Sequence, residues 1–373
     1  MTGYRDVLIC TVGTSLLGHL NNPDNPELKA ACEVKNTKGL SLILLKESPE
    51  ARSLGAEINS ITSILSRGRL HGRRRLVFLV SDTPDGDFIG LVLRHYYEHS
   101  KNPHRFDAVE IHTLEGLTDA DAGRFRTVGL RNLVRAIARE VKKESSERLV
   151  INATGGYKAQ ISFAGMIGQA LEIPVCYMFE RFSEVIELPP QPISLDVSFW
   201  LEHVGIFFAL NHNELEENPA SVDEKFSSLV DEIQVDGHTL IGLSAVGQLF
   251  HETYQHWFDV QRQMLLPPAT DTPEEKKAII YEDKNNGRHS GLESYLKKVR
   301  QVPYVTRINT FYFNPDLPLK NYFRLPAKGG LDSVEGGYSD GKATTKFNVF
   351  TTASTTLQRN AALADLLSMF GKE

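Results

Sequence analysis

Two strand-to-helix turns constrain this chain more than any other feature: TVGTSLL (Thr11–Leu17) and NATGGYK (Asn152–Lys158). Each follows a short apolar run, VLIC (Val7–Cys10) and LVI (Leu149–Ile151), and each leads into a helix-like stretch. A buried parallel strand that ends in small and hydroxylated residues before a helix is how an open α/β sheet builds an anion site. Glycine lets the backbone approach a ligand, the first helical N–H groups have no intrahelical acceptor, and the helix dipole favours negative charge. Two such turns, from strands far apart in sequence, predict a ligand with several phosphates.

The residues around these turns alternate between strand and helix patterns. Strands are predicted in DVLICTVG from Asp6, RLVFLVSD from Arg75, DAVEIHTL from Asp107, RLVINATG from Arg148 and PVCYMFE from Pro174. Helical patterns begin at Ala51, Asp87, Arg124 and Ala159, while GLSLILLKE from Gly39 fits either element. Such alternation predicts a mainly parallel, doubly wound α/β sheet. In the usual winding order the first and fourth strands are neighbours where the order reverses, and ligands bind in that crevice. Thr11, Gly13, Thr14 and Ser15 then lie beside Thr154, Gly155, Gly156 and Lys158, with Ser81 of SDTPDG at the rim. Backbone N–H groups and hydroxyls are the expected donors, and Lys158 is the mobile cation. No G-x-G-x-x-G is present.

The prolines of ELPPQP near Leu188 and of PPATDTPEE from Pro267 mark two boundaries. Between them lie a helical region, Val197–Asn211, and VDEIQVDGHTLIGLSAVGQLFHETY (Val230–Tyr254). The latter reads as a helix end, a DG-turned hairpin and a helix, a winged-helix-like pattern with no basic recognition face, which favours a linker over a DNA reader. After it, KKAIIYED, TRINTFYF, NYFRLPA and TKFNVFTTA read as strands and SGLESYLKKVRQV and TTLQRNAALADLLSMF as helices, with GGLDSVEGGYSDG as a turn-rich region. This predicts a small α+β domain. The boundaries are 1–195, 196–266 and 267–373.

A chain of 373 residues with 41% hydrophobic and 24% charged residues suits a soluble multidomain protein. No apolar run approaches the ~18 residues that span a bilayer, and the N-terminus leads straight into a strand, so no membrane contact is expected. Cys10, Cys32 and Cys176 are odd in number and widely spaced, as reduced core thiols of a cytoplasmic protein are. From Gln261 onward six Arg and ten Lys face twelve acidic residues, a surplus of four positive charges. With −6 overall, the first 260 residues carry −10. Contact with a polyanion is therefore expected toward the C-terminus.

TVGTSLL, LVFLVSDTPDG, the F-x3-GL-x-NL sequence of Phe125–Leu133, NATGGYK and the run YMFERFSEVIELPPQPI from Tyr177 occur in an order that resembles the CARF domains of type III CRISPR effectors. The resemblance covers roughly residues 1–195. It implies a Rossmann-like homodimer whose paired crevices bind a cyclic oligoadenylate, with cyclic tetra-adenylate favoured as the activator. It also implies that the ring could be cut slowly in place, with Thr14 or Ser15 and Lys158 holding the in-line geometry. The hairpin-helix from Gly237 resembles the winged-helix linker of such effectors.

The effector is less sharply marked. A HEPN nuclease needs Arg and His a few residues apart on a helix; after residue 260 His289 directly follows Arg288 and no other His occurs. A D…E-x-K metal nuclease would draw on Asp271, Glu282, Asp283 and Lys284, with Asp271 in a proline-rich segment. The order and size of the last domain, with its basic residues, resemble RelE. That resemblance implies a ribosome-dependent, metal-independent mRNA endoribonuclease without a cofactor, in which cations and Tyr stabilise the phosphorane. The candidates are Arg307, Arg324, Lys328, Tyr338 and Lys346, with Arg288 and Lys297 toward ribosomal RNA. The metal nuclease and a ligand-responsive winged-helix transcription regulator are the alternatives.

Overall fold

All five residues of β1 (Val7–Thr11) are buried, which requires cover on both faces of a sheet. A computed structural model describes residues 4–21, 25–179, 184–190, 197–211, 216–217, 224–227, 229–235, 238–282 and 289–371. The chain divides into two units. The first is Met1–Ile193, Ala220–Glu232 and Leu243–His256; the second is Ser194–Pro219, Ile233–Gly242 and Trp257–Glu373. Residues 196–266, expected to stand apart as a linker, are thus shared between them.

In unit 1, β1 is followed by α1 (Ser15–Leu20), α2 (Pro26–Glu33), α3 (Thr37–Leu44), α4 (Gly55–Ser66), β2 (Arg75–Ser81), α5 (Pro84–Glu98) and β3 (Ala108–Leu114). Then come α6 (Ala122–Arg124), α7 (Leu130–Glu144), β4 (Leu149–Asn152), α8 (Lys158–Ala170), β5 (Val175–Tyr177) and β6 (Ile186–Leu188). The sheet order is β3-β2-β1-β4-β5-β6, parallel except for β6. Period-two alternation sends Leu8 and Cys10 to one core, with Phe78, Ile58 and Leu93, and Val7 and Ile9 to the other, with Leu79, Ile137 and Ile167. The ambiguous segment from Gly39 is helical: Asn36 caps α3 by accepting from the Gly39 N–H at 2.9 Å. The helix expected from Arg124 includes a π-turn, Phe125–Gly129.

The chain continues through α9 (Val197–Glu202), α10 (Val204–Asn211), β7 (Glu216–Glu217), α11 (Glu224–Ser227), β8 (Val230–Val235), β9 (His238–Leu243) and α12 (Ala245–Leu265). Order β7-β9-β8 makes a three-stranded sheet. The hairpin and following helix are present, but Val230 opens a strand where a helix end was expected. In unit 1 the first part of α12 packs on α7, where Lys142 bonds Glu252 at 3.0 Å and Gln255 at 2.9 Å.

Unit 2 is completed by β10 (Ala278–Tyr281), α13 (Leu292–Arg300), β11 (Val305–Asn314), β12 (Tyr322–Arg324), β13 (Ser333–Ser339), β14 (Thr344–Thr351) and α14 (Thr356–Phe370). The sheet runs β10-β11-β14-β13-β12, with β10 parallel to β11 and the other pairs antiparallel. The region expected to be turns contains β13, between β14 and β12. Its glycines are spaces for aromatic rings: a Cβ on Gly336 would lie 2.5 Å from the Phe347 ring, and one on Gly337 would run into the Tyr322 ring. Phe323 and Phe347 face the helices, where Phe347 meets Tyr295 of α13 and Phe323 meets Phe370 of α14. Asp365 of α14 is buried, yet it accepts from Tyr304 Oη at 2.8 Å and pairs with Arg262 at 2.6 Å.

At the end of the unit 1 sheet away from the two turns, Arg75 is 5% exposed and bonds Glu110, Glu140 and Glu144 at 2.8, 3.0 and 2.6 Å. Arg75 hydrogen bonds hold the Glu110 carboxyl below its ordinary range. Burial opposes ionisation of Asp6 and Glu144, but bonds from Arg148 and Arg74, and from Arg74 and Arg75, outweigh it. Depressed folded-state values stabilise the protein above the unfolded carboxylate range and lose that contribution as pH falls through them. Arg75→Ala leaves the buried Glu140 carboxylate without its cation, while Glu144 keeps Arg74 and Glu110 keeps Lys143, and is expected to cost about 3 kcal/mol at pH 7. Thermal unfolding from pH 7 to pH 3 should show this gap narrowing below about pH 4, and a gap independent of pH would sink the electrostatic account.

Candidate functional site

The two turns meet at the carboxyl ends of β1 and β4, which pair in parallel. Thr11 is fully buried, and its hydroxyl donates to the Gly155 carbonyl at 2.5 Å. A Cβ on Gly13 would lie 2.7 Å from Gly156 N, and one on Gly155 2.9 Å from Gly13 N. Both turns therefore carry glycine because their backbones touch each other. Gly156 adopts φ +105°, a conformation that L side chains rarely take.

The acceptor beneath this contact is Glu57, 1% exposed, in the first turn of α4. Gly13 N–H donates to its Oε1 at 2.8 Å, so the free N–H expected at Gly13 is already engaged. Glu57 Oε2 is buried without a hydrogen-bond partner. Burial pushes the carboxyl above its ordinary range, and the Gly13 N–H offsets only part of that. Nothing in the sequence marked Glu57 beyond its place in a helical pattern.

Two other expected donors are also occupied. Ser81 is buried, with Oγ 2.8 Å from Thr83 Oγ1, which caps α5 by accepting from Gly86 N at 3.0 Å. Thr154 Oγ1 donates to Asn152 Oδ1 at 2.7 Å and accepts from Met178 N at 3.1 Å. Thr14 and Ser15 are exposed at the start of α1. Lys158, the first residue of α8, is exposed, and among the described residues it makes no ion pair. The preceding Tyr157 N–H donates to Gln160 Oε1 at 3.2 Å, which closes the entry into α8. A cation at the positive end of a helix is an unfavourable neighbour that a bound anion would relieve. On the β2 side the rim is acidic: exposed Asp82 accepts from Gly116 N at 3.1 Å and lies 3.8 Å from Arg124.

In unit 2, Arg307, Lys346 and Arg324 share the sheet face away from α13 and α14. Arg307 stacks over Phe350 at 4.0 Å, Lys346 over Tyr312 at 5.0 Å and Arg324 over Tyr322 at 5.3 Å. Arg324 also pairs with Glu335 at 2.7 Å. Asn309 and Asn348 are direct cross-strand partners between these stacks, and Asn309 Nδ2 donates to Glu282 Oε1 at 3.3 Å. Asn309, Asn348, Tyr312 and Glu335 were not read from the sequence, because only strand register brings them together.

Tyr338 lies on the opposite face. It is paired with Thr345 rather than Lys346, donates to the Ser290 carbonyl at 2.9 Å and packs on Tyr295 and His289. Lys328 is exposed between β12 and β13, apart from the other cations along the strands. Lys297 on α13 is exposed and paired with Glu293 at 2.7 Å. Asp271 is exposed in the segment after α12. Asp283, Lys284 and Arg288 lie outside the described residues. Among the described residues a metal-capable cluster occurs at Glu110, His112 and Glu140, in unit 1, where Arg75 already bridges both carboxylates. Cys10, Cys32 and Cys176 are free and buried. No helix among the described residues is long and apolar enough to cross a membrane.

Residues 52–191 match a family described as CRISPR-associated protein (Cas_APE2256). The match takes in the second turn and α8 and leaves out β1 and the first turn. No curated protein matches the chain. Among solved structures, Can2 from Sulfobacillus thermosulfidooxidans, in complex with cyclic tetra-adenylate, is 11% identical, with 70% of this chain and 68% of that one covered at a TM-score of 0.26. A superposition that loose assigns neither fold nor ligand.

The raised Glu57 carboxyl makes stability depend on pH with a definite sign. Between the ordinary glutamate range and its folded value, the native protein holds a proton that the unfolded chain has released, so stability falls as pH rises. Glu57→Gln lacks that titration. Wild type should therefore lose stability relative to Glu57→Gln by up to about 1.4 kcal/mol per pH unit above roughly pH 5. Urea unfolding of both proteins at pH 5, 6 and 7 checks the slope; parallel curves would mean that Glu57 is ionised in the folded state.

Proposed function

We propose that this chain is a cytoplasmic CRISPR effector that senses a cyclic oligoadenylate through unit 1 and cleaves RNA through unit 2. The match of residues 52–191 to a CRISPR-associated family carries the reading, since that stretch contains NATGGYK and the start of α8. The chemistry of the turns agrees with it. Thr14, Ser15, Gly156 and the first turn of α8 with Lys158 offer hydroxyls, N–H groups and a cation to phosphates. A cyclic adenylate has one phosphate per nucleotide and no ends, so a homodimer that doubles each donor set suits it. Charge-assisted bonds of this kind are about twice as strong as neutral ones. Cyclic tetra-adenylate is the ring we assign. Thr14 or Ser15 with Lys158 would also hold a ring for slow cleavage, if each 2′-OH lies in line with its phosphate.

For unit 2 the RelE-like reading places the RNA on the open sheet face. The ribosome would order the mRNA, and the 2′-OH would lose its proton to solvent as its oxygen attacks the adjacent phosphorus, while the P–O5′ bond breaks and the 5′-oxygen takes up a proton from solvent. Arg307 and Lys346 would stabilise the charge on the phosphorane. Both are stacked on aromatic rings, which leaves their N–H groups available to an oxyanion. Arg324 is committed to Glu335 and serves the face indirectly. Tyr338, turned to the other face, has no place in this step.

Two measurements test the two halves. Lys158→Ala should weaken cyclic tetra-adenylate binding by at least about tenfold, or ~1.4 kcal/mol, without lowering the melting temperature; unchanged calorimetric affinity removes Lys158 from the site. In a ligand-activated translation mixture, Arg307→Ala and Lys346→Ala should each slow mRNA cleavage by roughly tenfold or more, whereas Glu282→Ala should not. Loss of cutting in Glu282→Ala alone, with the strand cations dispensable, would install the metal-dependent nuclease instead.

A further inference from the structure

We propose that Glu57 is the positioning residue of the sensor turns: a buried hydrogen-bond acceptor beneath them that fixes the backbone path on which phosphates would sit. The identity of the ligand rests on the cyclic-oligoadenylate reading above; the geometry does not.

One oxygen touches both turns. Glu57 Oε1 accepts the Gly13 N–H at 2.8 Å and would collide with a Cβ on Gly155. The carboxyl thus occupies the space that the missing Gly155 side chain leaves, and α4 holds it there. By taking the Gly13 N–H, it withdraws that donor from any ligand and leaves Thr14, Ser15 and Gly156 as the outward-facing part of the turns. An apolar side chain would fill the same volume but orphan a buried N–H.

The surroundings favour the neutral form. Among the described residues Oε2 has no hydrogen-bond partner and no cation acts on the carboxyl. The titratable groups that face it are Cys10 on β1 and Tyr97 on α5, both held neutral by burial. An ionised carboxylate met only by the backbone N–H groups of Gly13 and of Glu57 itself is costly in such a place. It would also set a negative charge under a site for anions, where a neutral acid sets none. Glutamate here supplies an acceptor in a place where burial opposes its charge.

Glu57→Gln keeps an acceptor and a neutral group; Glu57→Leu keeps only the bulk. The full-length variants are compared at pH 7 by calorimetric titration with cyclic tetra-adenylate and by hydrogen exchange of the peptide that spans residues 8–20. Glu57→Gln should bind within about threefold of wild type, and Glu57→Leu at least about tenfold more weakly. Exchange of the turn should quicken in the leucine variant alone. A folded Glu57→Leu with wild-type affinity and exchange overturns the proposal. So does a Glu57→Gln as impaired as Glu57→Leu, because the ionised form would then be the one required. If wild type itself does not bind the nucleotide, the ligand reading falls and the exchange comparison still decides the role of Glu57. Should Glu57→Leu fail to fold, Glu57→Met, unbranched and closer in shape, replaces it with the same expectations.

Discussion

The ladder between β1 and β4 ends at Cys10 and Asn152, yet the chain beyond it stays together. Thr11 bonds the Gly155 carbonyl, and Gly13, Gly155 and Gly156 bring the two backbones into contact over Glu57. Parallel strands alone would let the following turns splay. This tie extends the order of the sheet into the crevice and fixes where α1 and α8 begin. A ligand site built on it is preorganised, because most of its polar groups have committed their hydrogen-bonding capacity to one another. The groups that remain outward-facing, Thr14, Ser15 and Lys158 among them, are few.

Unit 2 divides its polar groups in another way. One face of its sheet is covered by α13 and α14 through Phe323, Phe347 and Tyr295; the other carries cations stacked on aromatic rings. An ion pair neutralises a cation, as Glu335 does for Arg324. A ring holds it in place for about 0.5–1 kcal/mol at an exposed site and leaves its charge available to a ligand. Two cations held by rings, with an Asn pair between them, keep positive charge on this face without the penalty of burying it.

Much of unit 1 was legible because its strands obey period two and its helices period 3.6 over long runs. The adjacency of strands 1 and 4 followed from the winding rule. The edge strand β6 escaped notice because three residues, Ile186–Leu188, carry too short a pattern. β13 was missed because Gly336 and Gly337 read as turn formers, whereas here they clear space for Phe347 and Tyr322. The turns themselves were found by residue type, but type says nothing about whether a hydroxyl is free. Thr11 and Thr154 look alike in sequence to Thr14, and only the fold shows which of them are already bonded. Strand register decided the face of Tyr338: it follows Gly337, which pairs with Lys346, and so points the other way.

The electrostatics of the crevice follow from the same arrangement. Lys158 stands at the positive end of α8, where the helix opposes it, while Asp82 stands across the β1 turn at the end of β2. Neither placement favours the folded protein on its own: the lysine adds to the positive helix end, and the carboxylate is only loosely met by Arg124 at 3.8 Å. An anion bound on the α8 side would relieve the first and be repelled by the second.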